Sequence, residues 1–315
     1  MHIGNFELGK EKVYVISEIS GNHLQDKNLA RELIVQSALA GANAVKFQTY
    51  TAADLAAPGI RIPRGIDPIH DEWLKGRETL QDVLAGGGLQ REWHAELKAL
   101  ADEMHIEFLS TPFSLSSAKF LVEEIGVKAL KIASGDLTFY PLLDYANSTG
   151  LPIILSTGCS YLSEVVYSVQ YHLADAYHND RLAILHCNST YPCPPEMLNL
   201  RAIQTLKTTL PEAVIGFSDH TVNTDWVPVG AVMTGAHILE KHVCHPNIRG
   251  GLDERHSIDT LELSTMIHHV RSAVKALGDG RKVLQDGEKH DRLWARRDPT
   301  DWLRPTRDGR DGKWN

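Results

Sequence analysis

Several short apolar runs in this chain end in residues that could do chemistry. The run at 13–20 supplies Glu18, with Asn22 and His23 just beyond it, and the run at 44–49 supplies Lys46 and Gln48. Later runs end in Ser110 and Thr111, in Lys131 and Ser134 with Asp136 following, and in Ser156 and Thr157. The last three end in His186 with Ser189 and Tyr191, in Ser218, Asp219 and His220, and in Glu240, Lys241 and His242. Lysines and hydroxyls meeting at one point suit a phosphate or carboxylate group. A single buried Lys46–Glu18 pair would explain one of these charges, but not two lysines on different runs together with several hydroxyls.

His220 and His242 close successive runs, so their side chains can converge. With Glu18 and Asp253 nearby they would form a divalent metal site, since imidazole plus carboxylate suits Mn²⁺, Fe²⁺, Co²⁺ or Zn²⁺. Each histidine alone is more often a hydrogen-bonded core residue. His186 and His23 compete for the same role, and the order of the runs does not decide between the pairs.

The elements that must position these groups are legible in the pattern. Eight apolar runs, at 13–20, 44–49, 107–112, 129–134, 152–157, 182–187, 213–220 and 237–243, are nearly continuous rather than alternating. Parallel strands covered on both faces read this way. Between them lie helical patterns. Ala30, Leu33, Ile34 and Ala38 share a face that ends at Gly41; Leu263, Met266, Ile267, Val270, Val274 and Leu277 share one that ends at Gly278. Ser163 is the expected N-cap of the helix holding Val165, Val166 and Val169. Eight strand–helix units predict an α/β fold, a (β/α)8 TIM barrel with its chemistry at the C-terminal strand ends. No GxGxxG follows the first strand, which argues against a dinucleotide-binding sheet.

Two stretches break the repeat. Residues 50–88 form a long Gly- and Pro-rich loop after the second strand, carrying Arg61, Arg64, His70 and Trp73, and read as a lid or binding loop. Residues 281–315 are highly charged and read as an extended arm. One barrel domain over 1–280 and no second folded domain are therefore expected.

Composition narrows the function classes. The 315 residues are 43% hydrophobic and 23% charged, with a net charge of −8, so nothing attracts nucleic acid or an acidic membrane surface. No signal peptide and no transmembrane run is visible. Cys159, Cys187, Cys193 and Cys244 lack CxxC spacing and read as free thiols in a cytoplasmic protein.

Taken together, the strings EISGNH (18–23), VKFQTY (45–50), LSTPF (109–113), LKIASGDL (130–137), LSTG (155–158), LHCNSTYPCPPEMLNLRAI (185–203), GFSDHT (216–221), GAHILEKHV and GGLDERHSI (250–258) resemble the N-acetylneuraminate (sialic acid) synthase family. That family also includes the legionaminate and pseudaminate synthases. The strings fall in the family's order across most of residues 13–280. The resemblance implies a TIM-barrel transferase that condenses phosphoenolpyruvate with the open-chain aldehyde of an N-acetylated hexosamine. The products would be a 2-keto sugar acid and phosphate. By motif, His220 and His242 would hold the metal, Mn²⁺ or Mg²⁺. Lys46, Lys131, Ser134, Thr111 and Ser218 would grip phosphoenolpyruvate, and Glu18, Gln48, Tyr191 and Asp253 would line the reaction centre. Asn22, Asp136, Ser156 and Ser189 complete the expected substrate-binding set, and a homodimer is the implied assembly.

The chain also departs from the family pattern. The usual small C-terminal antifreeze-like domain has no counterpart in residues 281–315. Asp136 stands where many members have glutamate, Ser114 where an acidic residue is usual, and Val243-Cys244-His245-Pro246 where FTLD is usual. The donor-side residues match better than the acceptor-side ones. Two rival readings are a phosphoenolpyruvate condensation with a different aldehyde and a non-catalytic ligand-binding barrel.

Overall fold

The computed structural model describes residues 1–9, 12–63 and 76–313. Two units can be separated, Met1–Ala276 and Leu277–Asn315.

The first unit is the expected barrel. Its strands are β1 (Tyr14–Glu18), β2 (Ala44–Thr49), β3 (Glu107–Pro112), β4 (Leu130–Ile132), β5 (Ile153–Ser156), β6 (Leu182–Cys187), β7 (Val214–Asp219) and β8 (Ile238–Cys244). Parallel pairing runs unbroken in the order β3-β2-β1-β8-β7-β6-β5-β4. The ladder joins the first strand to the last, with Tyr14 opposite Ile238 and Glu18 opposite His242. A two-residue strand, β9 (Ile258–Asp259), adds to the upper end of β8 through Val243 and Cys244.

The two-residue period of each strand sorts its side chains. Val15, Val45, Phe47, Leu130, Ile132, Leu155, Ile184 and Leu239 face outward and build the larger core beneath the helices. Tyr14, Ile16, Ala44, Leu109, Ile154, Ala183, Leu185 and Ile238 face inward and fill the lower barrel. Met1, Ile3 and Leu8, from an N-terminal hairpin pairing His2–Ile3 with Phe6–Glu7, join that inner cluster. Truncating one of these inner side chains to alanine typically costs about 2–5 kcal/mol. Gly216 allows close packing of β7 on β8, since a Cβ there would come within 2.7 Å of the Ile238 carbonyl oxygen. Continuing the same alternation upward carries Glu18, Lys46, Gln48, Lys131, Ser156, Cys187, Ser218, Glu240 and His242 to the inside of the mouth.

Local signals explain the flanking helices. Helix Lys27–Ala40 starts where the Asp26 carboxylate accepts the Asn28 and Leu29 N–H groups, and ends at Gly41, whose φ is 92°. Helix Thr260–Leu277 buries the predicted face of Leu263, Met266, Ile267 and Val270. The cap at Ser163 is corrected: the helix runs Leu162–His172, and Glu164 accepts the Tyr161 N–H at 2.7 Å. Glu164 reaches back one turn to that N–H, so the boundary falls before Leu162.

In the long loop, short helices Ala52–Leu55 and Leu80–Leu84 flank a bridge between Arg61 and Thr79. Arg64, His70 and Trp73 lie outside the described residues. The second unit carries two short helices, Lys289–Ala295 and Arg307–Arg310. Arg310 holds Asp301 in a two-pronged ion pair, and Thr306 N–H donates to the Leu293 carbonyl at 3.0 Å. Among the described residues no helix is long and apolar enough to cross a membrane.

Candidate functional site

The barrel mouth opens into a cavity of about 640 Å³. Glu18, Lys46, Gln48, Thr111, Lys131, Ser134, Ser156, Ser189, Tyr191, Ser218, His220, His242 and Asp253 all line it. They come from all eight strands or their ends and from the loop after β8. Of the residues to which the resemblance gives a metal, catalytic or substrate-binding role, Asn22 and Asp136 are outside the lining.

The floor is a charged cluster. Lys46 Nζ lies 2.5 Å from Glu18 Oε2, its register neighbour on β1, and donates to Thr111 Oγ1 at 3.0 Å. Glu240 stands between the two lysines, with its Oε1 3.5 Å from Lys46 Nζ and 3.7 Å from Lys131 Nζ. Ser218 donates to the same oxygen at 3.4 Å. Gln48 donates to Ser20 Oγ at 2.6 Å and to Glu18 Oε1 at 3.3 Å, which orients both carboxamide and carboxylate.

Four buried charges of alternating sign are tolerated only because each has a partner. Burial pushes the Glu18 carboxyl up to about 7 against the pull of Lys46, with Glu240 adding to the rise. Burial holds Lys131 below the usual lysine range, with Glu240 opposing. Glu240 itself is held low by its two lysines, which outweigh its burial. The empty floor is thus close to electroneutral. Lys46 is tied to Glu18, but Lys131 has only long contacts, to Glu240 at 3.7 Å and to the Ile132 carbonyl at 3.3 Å, so a phosphate could compete for its charge.

Glu240 was visible at its strand end in the sequence but was given no role there. Its signal is the period: Glu240 and His242 point inward, whereas Lys241 between them points out. Lys241 meets Asp219 at 2.7 Å outside the mouth, so that pair is structural.

One side of the cavity is a histidine cluster. The His220 and His242 rings are 5.3 Å apart between centroids, as expected for residues closing successive strands. A third ring, His256, joins them 4.5 Å from His242 and 5.9 Å from His220. His242, Asp253 and His256 each bring a ligand atom within 4.8 Å of the others. His242 Nδ1 is buried without a hydrogen-bond partner, and His256 Nε2 faces Asp253 Oδ1 at 3.4 Å. Buried orphan nitrogens are costly unless something binds them. His220 Nδ1 is engaged by the Asn188 carbonyl at 2.6 Å, which directs its other nitrogen toward the cluster side. Burial lowers His220 to about 4, so the ring is a neutral electron-pair donor at neutral pH.

His256 was missed in the sequence because it lies in a loop, beyond the strand-end rule. The local signal was its offset of three from Asp253, which places both on one turn of the short 3₁₀ segment Glu254–His256. The rival histidines stand elsewhere. His186 Nε2 bonds to the Leu198 carbonyl at 2.7 Å. His23 is buried between Phe47 and Trp93 and accepts the Gln25 N–H.

Asn22 and Asp136 sit just behind the cavity. Asn22 donates to the Val243 carbonyl at 2.9 Å and to Ser257 Oγ at 2.8 Å, and accepts the Asp253 N–H at 3.2 Å. It thereby clamps the loop that carries Asp253 and His256. Asp136 has a buried, unpartnered Oδ2, and burial raises its carboxyl to about 6 against the pull of Lys131.

The NeuB family profile matches residues 33–282. The chain is 36% identical over 294 residues to the N,N'-diacetyllegionaminic acid synthase of Legionella pneumophila, covering 91% of this chain and 79% of that one. It is 32% identical to the pseudaminic acid synthase of Campylobacter jejuni, covering 94% and 83%. Among solved structures, the N-acetylneuraminic acid (sialic acid) synthetase of Leptospira borgpetersenii, crystallised with citrate, superposes with a TM-score of 0.79 at 32% identity, over 92% of this chain and 94% of that one.

Proposed function

This chain belongs to the NeuB family, and from that premise we propose that it condenses phosphoenolpyruvate with the open-chain aldehyde of an N-acetylmannosamine-like aldose. The products are a 2-keto-3-deoxy sugar acid and inorganic phosphate. The observation that carries this reading is the pairing, in one cavity, of two buried lysines that share Glu240 with a cluster of three histidines and Asp253. A phosphate needs the first and an aldehyde oxygen is served by the second.

The roles follow from chemistry. Lys46 and Lys131 neutralise the phosphate and carboxylate of the donor, with Thr111, Ser134, Ser156 and Ser218 supplying neutral hydrogen bonds. C3 of the enol phosphate attacks the aldehyde carbon, its π pair forming the C–C bond, and the resulting alkoxide takes the proton of the Glu18 carboxyl, leaving Glu18 as the carboxylate. C2 is left electron-deficient and water adds there. Glu18, held by Lys46 and Gln48, accepts the proton from that water; a carboxyl raised toward neutrality is suited to the task. The tetrahedral C2 then collapses to the ketone, the C2–O bond to phosphorus breaks, and phosphate leaves under the stabilising charge of the lysines. The Tyr191 ring lies 4.3 Å from the His220 ring, tilted by 34°, and walls the acceptor side.

The histidine–carboxylate cluster fits a divalent ion: the donors are close, burial keeps the His220 and His242 rings neutral, and His242 Nδ1 has no hydrogen-bond partner. His242, His256 and Asp253 would hold it, with His220 adjoining. A bound ion would supply Lewis-acid polarisation of the aldehyde, a contribution of several kcal/mol. Imidazole-rich donors suit Mn²⁺ better than Mg²⁺.

The test is phosphate release from phosphoenolpyruvate with and without N-acetylmannosamine and Mn²⁺. Acceptor-dependent release supports the proposal. A protein that releases phosphate equally without any aldose, or never with any of a panel of aldoses, contradicts it.

A further inference from the structure

Beyond the lysines and histidines, the cavity wall holds a cation that the reaction as described does not use. Arg255 lies between Asp253 and His256 on the short 3₁₀ segment after β8. It is half-buried and lines the reaction cavity. It also lines a separate outer pocket of about 370 Å³, together with Arg77, Arg249, Gly250, Gly251 and Glu254. Among the described residues no carboxylate, carbonyl or ring engages its guanidinium. The nearby acid is already committed: Glu254 accepts the Gly250 N–H at 2.5 Å and pairs with Arg249 at 3.4 Å.

A half-buried guanidinium has given up part of its hydration and here receives nothing in return. Arginine is also the residue whose fork matches a planar or tetrahedral oxyanion. The donor's own anionic groups are served by Lys46 and Lys131 on the barrel floor. Arg255 belongs instead to the loop that carries Asp253 and His256, where the aldehyde is expected. Its position on both cavities means that a sugar chain running outward from the histidines passes it on the way to the outer pocket.

We infer that the acceptor carries an oxyanion, a phosphate or carboxylate, at the end remote from its aldehyde, and that Arg255 selects for it. This deepens the proposed reaction and rests on that reading for the word acceptor, but its test does not depend on turnover. Reduced acceptors lack the aldehyde and cannot react. Calorimetric binding to the full-length protein with Mn²⁺ and phosphoenolpyruvate present would compare 2-acetamido-hexitol, its 6-phosphate and a reduced hexuronate. The charged ligands are expected to bind at least about tenfold tighter than the neutral one, the scale of one charge-assisted bidentate contact. Arg255→Gln should erase that preference, Arg255→Lys should keep part of it, and the affinity for phosphoenolpyruvate measured alone should move less than about threefold. Which charged ligand gains more identifies phosphate or carboxylate. Equal affinity for charged and neutral ligands would overturn the inference, as would a preference that survives in Arg255→Gln. A matching loss of phosphoenolpyruvate affinity would reassign Arg255 to the donor and overturn it too. Absence of phosphate release with every aldose would count against the condensation alone, since these binding ratios would stand.

Discussion

Lys46 Nζ sits 2.5 Å from Glu18 Oε2, on adjacent strands at the same register, with neither side chain reaching solvent. The pair is both a structural tie and the proposed link between phosphate binding and water activation. Those two roles separate by substitution. Lys46→Met leaves Glu18 buried without its main partner and should destabilise the fold by roughly 3–5 kcal/mol. Glu18→Gln keeps the shape but turns an amide NH2 toward one of two donors, Lys46 or Gln48, so it should cost a smaller amount of stability, about 1–3 kcal/mol, while turnover drops by about 10²–10⁴, the range for losing a general base. Denaturant unfolding and steady-state phosphate release measure the two. Equal loss of stability in both variants with turnover intact in Glu18→Gln would remove Glu18 from the chemistry.

Lys131 makes only long contacts, to Glu240 at 3.7 Å and to its neighbour's carbonyl at 3.3 Å. Its charge is therefore available to a ligand. Lys131→Ala should weaken phosphoenolpyruvate binding by at least about 1.5–3 kcal/mol, the worth of a hydrogen bond to a charged group. Unchanged affinity in a direct titration would contradict that assignment.

Binding the donor should draw protons from solution. Glu18 sits near 7 because of burial, and Lys131 is held below its ordinary range for the same reason. An anion beside them favours the protonated form of each, so both move up on binding. The sign is fixed: affinity is highest below about 7 and falls as pH rises through the Glu18 value, where a second anion would face the ligand. Calorimetry in two buffers of different ionisation enthalpy reads the proton count. Net proton release slightly above neutral pH would be the contrary result.

The proposed metal-binding role of the histidine cluster predicts a contrast between histidines. His256→Ala should weaken Mn²⁺ binding at least about tenfold, the lower end of what even an outer partner of a metal contributes. His186→Ala, whose ring is turned to the Leu198 carbonyl, should leave Mn²⁺ affinity unchanged. Metal titration followed by electron paramagnetic resonance reads both without any turnover. Equal effects in the two variants would take His256 out of the site.

Much of this arrangement could be read from the chain. Eight apolar runs became eight parallel strands because burial on both faces demands continuous hydrophobicity, and the inward period then placed Glu18, Lys46, Lys131, Ser218 and His242 together. The period also held the information for Glu240, which stands at a strand end among the residues that could do chemistry but belongs to none of the roles that the resemblance implies. His256 and Arg255 were not legible, since their positions depend on how the loop after β8 folds back. That fold relies on Asn22 bridging Val243, Asp253 and Ser257, contacts more than 200 residues apart in sequence. Local pattern carries no trace of such a clamp. Ser163 failed as a cap for a smaller reason of the same kind: Glu164 was better placed to hold the first turn.

The central claim is that phosphate leaves by cleavage of its bond to C2 after water has added to that carbon. Running the reaction in ¹⁸O-water with phosphoenolpyruvate, N-acetylmannosamine and Mn²⁺ tests it directly by mass spectrometry of the released phosphate. The account predicts unlabelled phosphate, formed one for one with a 2-keto sugar acid and only when the aldose is present. Phosphate carrying solvent oxygen, released without the sugar acid, would mean attack at phosphorus and would contradict it.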